Sequence, residues 1–98
     1  MFRGKEGIGM KEKTFLITAE TGVHARPATL LVNKAGQFES KLEIVYKDKK
    51  VNLKSIMGVM SLGIPKGSEI KVIANGSDEE AAIKGIEEVI KEHLGENS

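Results

Sequence analysis

"KLEIVYKDKKVNL", Lys41 to Leu53, decides the kind of sheet this chain can build. Apolar side chains fall at Leu42, Ile44 and Tyr46, every second residue, the period of a strand with one buried face. A polar turn follows over Asp48 to Lys50, and the short "KVNL" returns at once. Strands joined by so short a turn must run antiparallel, because a parallel pair needs a long crossover. Working outward, Thr14 to Ala19 alternates in the same way and predicts a first strand. Arg26 to Gly36 places Ala28, Leu31, Val32 and Ala35 at helical spacing, with Gly36 as the stop. Downstream, "SIMGVMSLG" predicts one or two helical turns opened by Ser55, and "IPKG" predicts a turn. "EIKVIAN" then reads as a fourth strand with Ile70, Val72 and Ala74 inward. The last helix carries Ile83, Ile86, Val89, Ile90 and Leu94 on one stripe. Ser77 and Glu80 form a capping-box pattern at its start, and Gly95 is placed to close it.

The resulting order, βαββαβα, predicts an α+β fold. One mainly antiparallel sheet has its inner face covered by helices and its outer face wet. With 98 residues there is room for one domain and one small site. The arm "MFRGKEGIG" offers only Phe2 and Ile8 as bulky apolar residues, so residues 1–9 are read as a loose segment before a domain spanning 10–98. Lys5, Glu6 and Gly7 can be encoded by a purine run resembling a bacterial ribosome-binding sequence shortly before the Met10 codon. Translation is therefore expected to begin at Met10.

Composition excludes several function classes. Fifteen basic and 14 acidic residues give a net charge of +1, which supplies neither a nucleic-acid footprint nor a membrane-binding field. Four aromatic residues, one of them in the arm, cannot form a stacking platform, so an RNA-binding α/β domain is disfavoured. The absence of cysteine removes disulfides and thiolate metal sites and agrees with a cytoplasmic location. No apolar run approaches the length of a membrane span. Two histidines far apart make no zinc site.

Chemistry concentrates in "TGVHARPAT", Thr21 to Thr29. With the first helix starting near Ala25, His24 sits at its cap, where backbone N–H groups have no partner within the helix. Pro27 lies in the first turn, where its missing N–H breaks no bond, and the amides of Ala25 and Arg26 stay free. Arg26 adds a planar fork suited to a phosphoryl or carboxylate group. An uncharged imidazole keeps a lone pair, so His24 is read as a nucleophile toward phosphorus. No carboxylate lies within the stretch, which disfavours a hydrolytic triad and suits a dianionic ligand. Against this, a histidine at such a junction can also be a simple cap or a satisfied surface group. His93 in the last helical turn reads as structural, where a partly cationic ring complements the helix dipole. Lys47, Lys49, Lys50 and Lys54 read as a solvated hairpin and its flank, and Lys34 likewise.

"TGVHARPATLLV" (Thr21–Val32) and "VNLKSIMGVMSLGIPKG" (Val51–Gly67), at this spacing, resemble the histidine-containing phosphocarrier (HPr) family of the bacterial phosphoenolpyruvate-dependent sugar phosphotransferase system. The resemblance runs from Met10 to about Glu96. It implies an open-faced β-sandwich with three helices on one face of a four-stranded antiparallel sheet, ordered first, fourth, second, third. It further implies a carrier and not a stand-alone enzyme, with no cofactor and no metal. In that reading His24 accepts a phosphoryl group on Nδ1 from Enzyme I and passes it to sugar-specific IIA components, with Arg26 holding the group. Ser55 corresponds to the regulatory serine of members that occur with an HPr kinase/phosphorylase. Its phosphorylated form is implied to act with catabolite control protein A in catabolite repression. The same hydroxyl is also a plain N-cap candidate. Ile56, Met57 and Met60 are implied as an exposed contact patch, with Val59 and Leu62 left to the core. A monomer is expected, without direct membrane insertion. The alternative within the same fold is a regulatory module acting only through Ser55.

Overall fold

The structure, a computed structural model, describes residues 11–98; the expectations about the arm lie outside these residues. In chain order the elements are β1 (Lys11–Ile17), α1 (Ala25–Ala35), β2 (Lys41–Tyr46), β3 (Lys49–Asn52), α2 (Ile56–Ser61), β4 (Glu69–Asn75), α3 (Glu79–His93) and β5 (Gly95–Asn97). Three helices and an antiparallel sheet bear out the α+β expectation. The sheet order β3-β2-β4-β1-β5 contains the expected arrangement of the first four strands.

Alternation fixes which face is buried. Phe15 and Ile17 of β1, Ile70, Val72 and Ala74 of β4, and Leu42 and Ile44 of β2 all point inward, each at most 1% exposed. The registers Phe15↔Ile70 and Ile44↔Val72 align these side chains across the strands. Onto this face α1 lays Ala28, Leu31 and Ala35, and α3 lays Ala82, Ile86, Val89 and Ile90, with α1 packed beside both α3 and α2. The opposite face carries charge, including a Lys71–Glu12 pair at 3.1 Å. None of the described helices is long and apolar enough to cross a membrane.

Five details differ from the sequence reading. The sheet has five strands, not four, because the chain beyond α3 turns back along the edge of β1. Gly95 therefore opens β5 instead of closing α3. Leu94 is the C-cap, its N–H still bonded to the Ile90 carbonyl at 2.7 Å. At the other end of α3 the N-cap is Asp78 and not Ser77. Asp78 makes no cap bond to its own helix; its carboxylate accepts from the Glu39 and Ser40 amides and the Ser40 hydroxyl, while the Gly76 amide donates to Glu79 Oε1. Asp78 thus fastens the α1–β2 loop to α3, a contact that no local pattern could reveal. Lastly, β1 stops at Ile17. The hairpin turn is shorter than expected: Tyr46 pairs with Lys49, and only Lys47 (φ 58°) and Asp48 connect them.

Candidate functional site

His24 is the N-cap of α1, with extended backbone (φ −109°, ψ −168°), and its ring caps nothing. Instead Nδ1 lies 3.0 Å from Thr21 Oγ1 and 3.3 Å from the Gly22 carbonyl oxygen. With the ring proton on Nε2 the Thr21 hydroxyl donates to Nδ1; with it on Nδ1 the ring donates to Gly22. The side chain is exposed, so a second macromolecule can reach it. Around it a surface depression is lined by His24, Ala25, Arg26, Thr29 and Leu30.

The amide supply follows from the helix start. The Ala28 amide bonds the His24 carbonyl at 2.9 Å, and Pro27, which is buried, has no N–H. That leaves the Ala25 and Arg26 amides as the first-turn donors without a partner among the described residues. Positive helix-end polarity, a guanidinium and an imidazole therefore share one exposed surface. Thr29 contributes less than its position suggests, since its hydroxyl donates to the Ala25 carbonyl at 2.8 Å.

What holds the loop was only partly legible. Gly22 adopts φ +67°, and a Cβ there would run into the Ile64 carbonyl and Pro65. The neighbouring Val23 amide donates to that same Ile64 carbonyl at 2.9 Å. The loop is thus pressed onto the "IPKG" turn, and only a glycine permits both the backbone angle and the approach. Thr21, at the start of this loop, supplies the side chain that meets Nδ1.

The other singled-out residues fall elsewhere. Ser55 is the N-cap of α2, where its Oγ accepts from the Gly58 amide at 3.1 Å, and it does not line the His24 depression. Among the described residues, Ile56, Met57 and Met60 are the exposed large apolar ones, at 37%, 79% and 39%, whereas Val59 and Leu62 are buried. Lys54 is no solvated flank: its Nζ donates to the Phe38 carbonyl at 2.8 Å and ties the start of α2 to the α1–β2 loop. Lys47 lies over the Tyr46 ring, 5.4 Å from its centroid. His93 stands in the last turn of α3, as expected. Among the described residues no cluster of three His, Asp or Glu side chains could hold a metal ion.

Known proteins resemble this arrangement. The family profile described as "PTS HPr component phosphorylation site" matches residues 11–92. The histidine-containing phosphocarrier protein of a Mycoplasma is 39% identical, with 84% of this chain and 93% of that one covered and a TM-score of 0.82. HPr of Thermoanaerobacter tengcongensis is 49% identical over 83% of this chain and 91% of its own, with a TM-score of 0.79. The Bacillus subtilis catabolite-repression protein Crh, solved as a dimer with a swapped domain, is 43% identical over 76% of this chain and 86% of its own, with a TM-score of 0.68. With its helices and sheet superposing on these structures and the profile covering most of its length, the chain belongs to the HPr phosphocarrier family of the sugar phosphotransferase system.

Proposed function

We propose that the domain spanning residues 10–98 is a cytoplasmic, monomeric phosphoryl carrier in which His24 accepts the group on Nδ1. The observation that carries this reading is an exposed imidazole which caps nothing and stands at a helix start with Arg26 and two amides unpaired among the described residues. In the Nε2–H tautomer the Nδ1 lone pair attacks phosphorus while the bond from phosphorus to the donor breaks. The Thr21 hydroxyl, which donates to Nδ1 beforehand, is released as that lone pair is used. Arg26 and the Ala25 and Arg26 amides face the incoming oxyanions, and Pro27 fixes the turn that presents them. These donors are few and lie on an open surface. That suits a carrier, because a closed oxyanion cage would retain the group.

Family membership points to phosphotransferase partners, here Enzyme I as donor and IIA components as acceptors. The exposed Ile56, Met57 and Met60 would form the docking patch, a use suited to adaptable methionine side chains. Ser55 is proposed as the site of HPr kinase/phosphorylase. Its phosphate would sit at the start of α2, place about two negative charges next to this patch, and so weaken Enzyme I docking while creating a surface for catabolite control protein A. A second reading, a module that regulates only through Ser55, is favoured by the likeness to Crh. Incubation with Enzyme I and phosphoenolpyruvate separates the two. The carrier gains an acid-labile phosphoryl group that His24→Ala cannot gain, whereas the regulatory module gains none.

A further inference from the structure

The family match ends at residue 92, and β5 lies beyond it. The sequence Gly95-Glu96-Asn97 has no strand propensity of its own, so tertiary contacts must hold it. The Leu94 carbonyl accepts from the amides of both Thr18 (2.8 Å) and Ala19 (2.9 Å). Gly95, Glu96 and Asn97 then stand opposite Ile17, Leu16 and Phe15, and the Ser98 amide donates to the Thr14 carbonyl at 3.2 Å. One side chain fastens the end of the segment: Ser98 Oγ donates to Glu69 Oε2 of β4 at 2.6 Å. Gly95 is the hinge of the arrangement, because a Cβ there would run into the Leu16 carbonyl.

Thr18 and Ala19 begin the loop that leads to His24. The Ala19 carbonyl accepts the Gly22 amide at 2.9 Å, and Gly22 and Val23 rest on Ile64. One run of backbone contacts therefore joins Leu94 to the residues that orient the imidazole. The loop backbone is held at Ile64 on one side and Leu94 on the other, and the exposed Glu20 side chain accepts from Lys66 Nζ at 2.8 Å.

We propose that Leu94–Ser98 is a clasp that positions the His24 loop, so that transfer in this chain depends on a segment outside the stretch its family profile matches. The proposal rests on the reading of His24 as phosphoryl acceptor. With the clasp docked, the amides of Thr18 and Ala19 are tied and the start of the loop is fixed. Undocked, the loop keeps its Ile64 anchor and the exposed Lys66–Glu20 pair but loses the ties at Thr18 and Ala19, and Nδ1 samples a wider range of positions relative to the donor phosphorus.

Gly95→Val in the full chain is the direct test, since it blocks docking of β5 without touching the loop. Amide exchange at Thr18 and Ala19 should quicken by about tenfold or more while Ile44 and Val72 in the core stay protected. The kcat for phosphoryl uptake from Enzyme I should fall about three- to tenfold with KM unchanged, because the loop is misplaced but the docking patch is intact. The milder variant Ser98→Ala removes only this side-chain fastening and should move both readouts the same way by less. It decides the matter if Gly95→Val also loses core protection. Faster exchange at Thr18 and Ala19 with an unchanged kcat would reduce the clasp to a structural feature and overturn the proposal, as would unchanged exchange. If the unsubstituted chain takes up no phosphoryl group, the reading of His24 fails and the proposal falls with it; normal uptake in all three proteins defeats the clasp alone.

Discussion

A ring nitrogen that must give and receive a phosphorus centre has to be reachable, correctly protonated and steadily aimed, and the exposure of His24 and two of its neighbours divide those tasks. Exposure leaves the ring reachable, Thr21 meets Nδ1, and Gly22 fixes the approach of the loop to Ile64. Arg26→Ala should leave the fold intact and lower the rate of phosphoryl uptake by about ten- to a hundredfold, as loss of one charged donor to the transferred group does. Gly22→Ala should act differently. Its methyl meets the Ile64 carbonyl at a backbone angle that alanine avoids, so urea unfolding should show a loss of more than about 1 kcal/mol together with slower uptake. The histidine, arginine and proline were legible because each has a chemistry that suits a helix start. The role of Thr21 was not, because it depends on a loop folding back over three residues.

At the scale of elements, α2 separates cap from contact surface within six residues. Ser55→Ala removes the bond from the Gly58 amide and should cost about 1 kcal/mol by urea unfolding, with uptake from Enzyme I little changed. Met57→Glu should leave stability untouched and raise KM for Enzyme I about tenfold, because it places a charge in the exposed patch. The α1–β2 loop depends on Asp78. The Ser40 hydroxyl foremost, then the Glu39 amide, holds this carboxyl below its ordinary value, partly opposed by burial and aided by the Ser40 amide. A carboxyl depressed in the folded state is protonated first in the unfolded chain. Its stabilisation is therefore present above the ordinary carboxylate pKa and lost as pH falls through the lower folded value. Stability of the unsubstituted chain should drop across that acidic window, and Asp78→Asn should be less stable at neutral pH with a flatter acid limb. The capping-box pattern at Ser77 pointed to the right helix but the wrong residue, because Asp78 bonds a loop distant in sequence.

For the whole molecule, strand periodicity disclosed one buried sheet face and helical stripes disclosed what covers it. That was enough for the class of fold, and the two motifs around His24 and Ser55 carried the order of four strands. The fifth strand escaped because Gly-Glu-Asn carries no periodic signal and a glycine after a helix ordinarily reads as a stop. Its existence depends on the free edge of β1, which only the assembled sheet possesses. The account as a whole stands on His24 as a reversible phosphoryl acceptor, and intact-mass measurement after incubation with Enzyme I and phosphoenolpyruvate tests it most directly. The account predicts one added phosphoryl group of about 80 Da, lost in acid, localised to His24 and missing from His24→Ala. A chain that stays unmodified with active Enzyme I, or that carries the group equally well without His24, contradicts it.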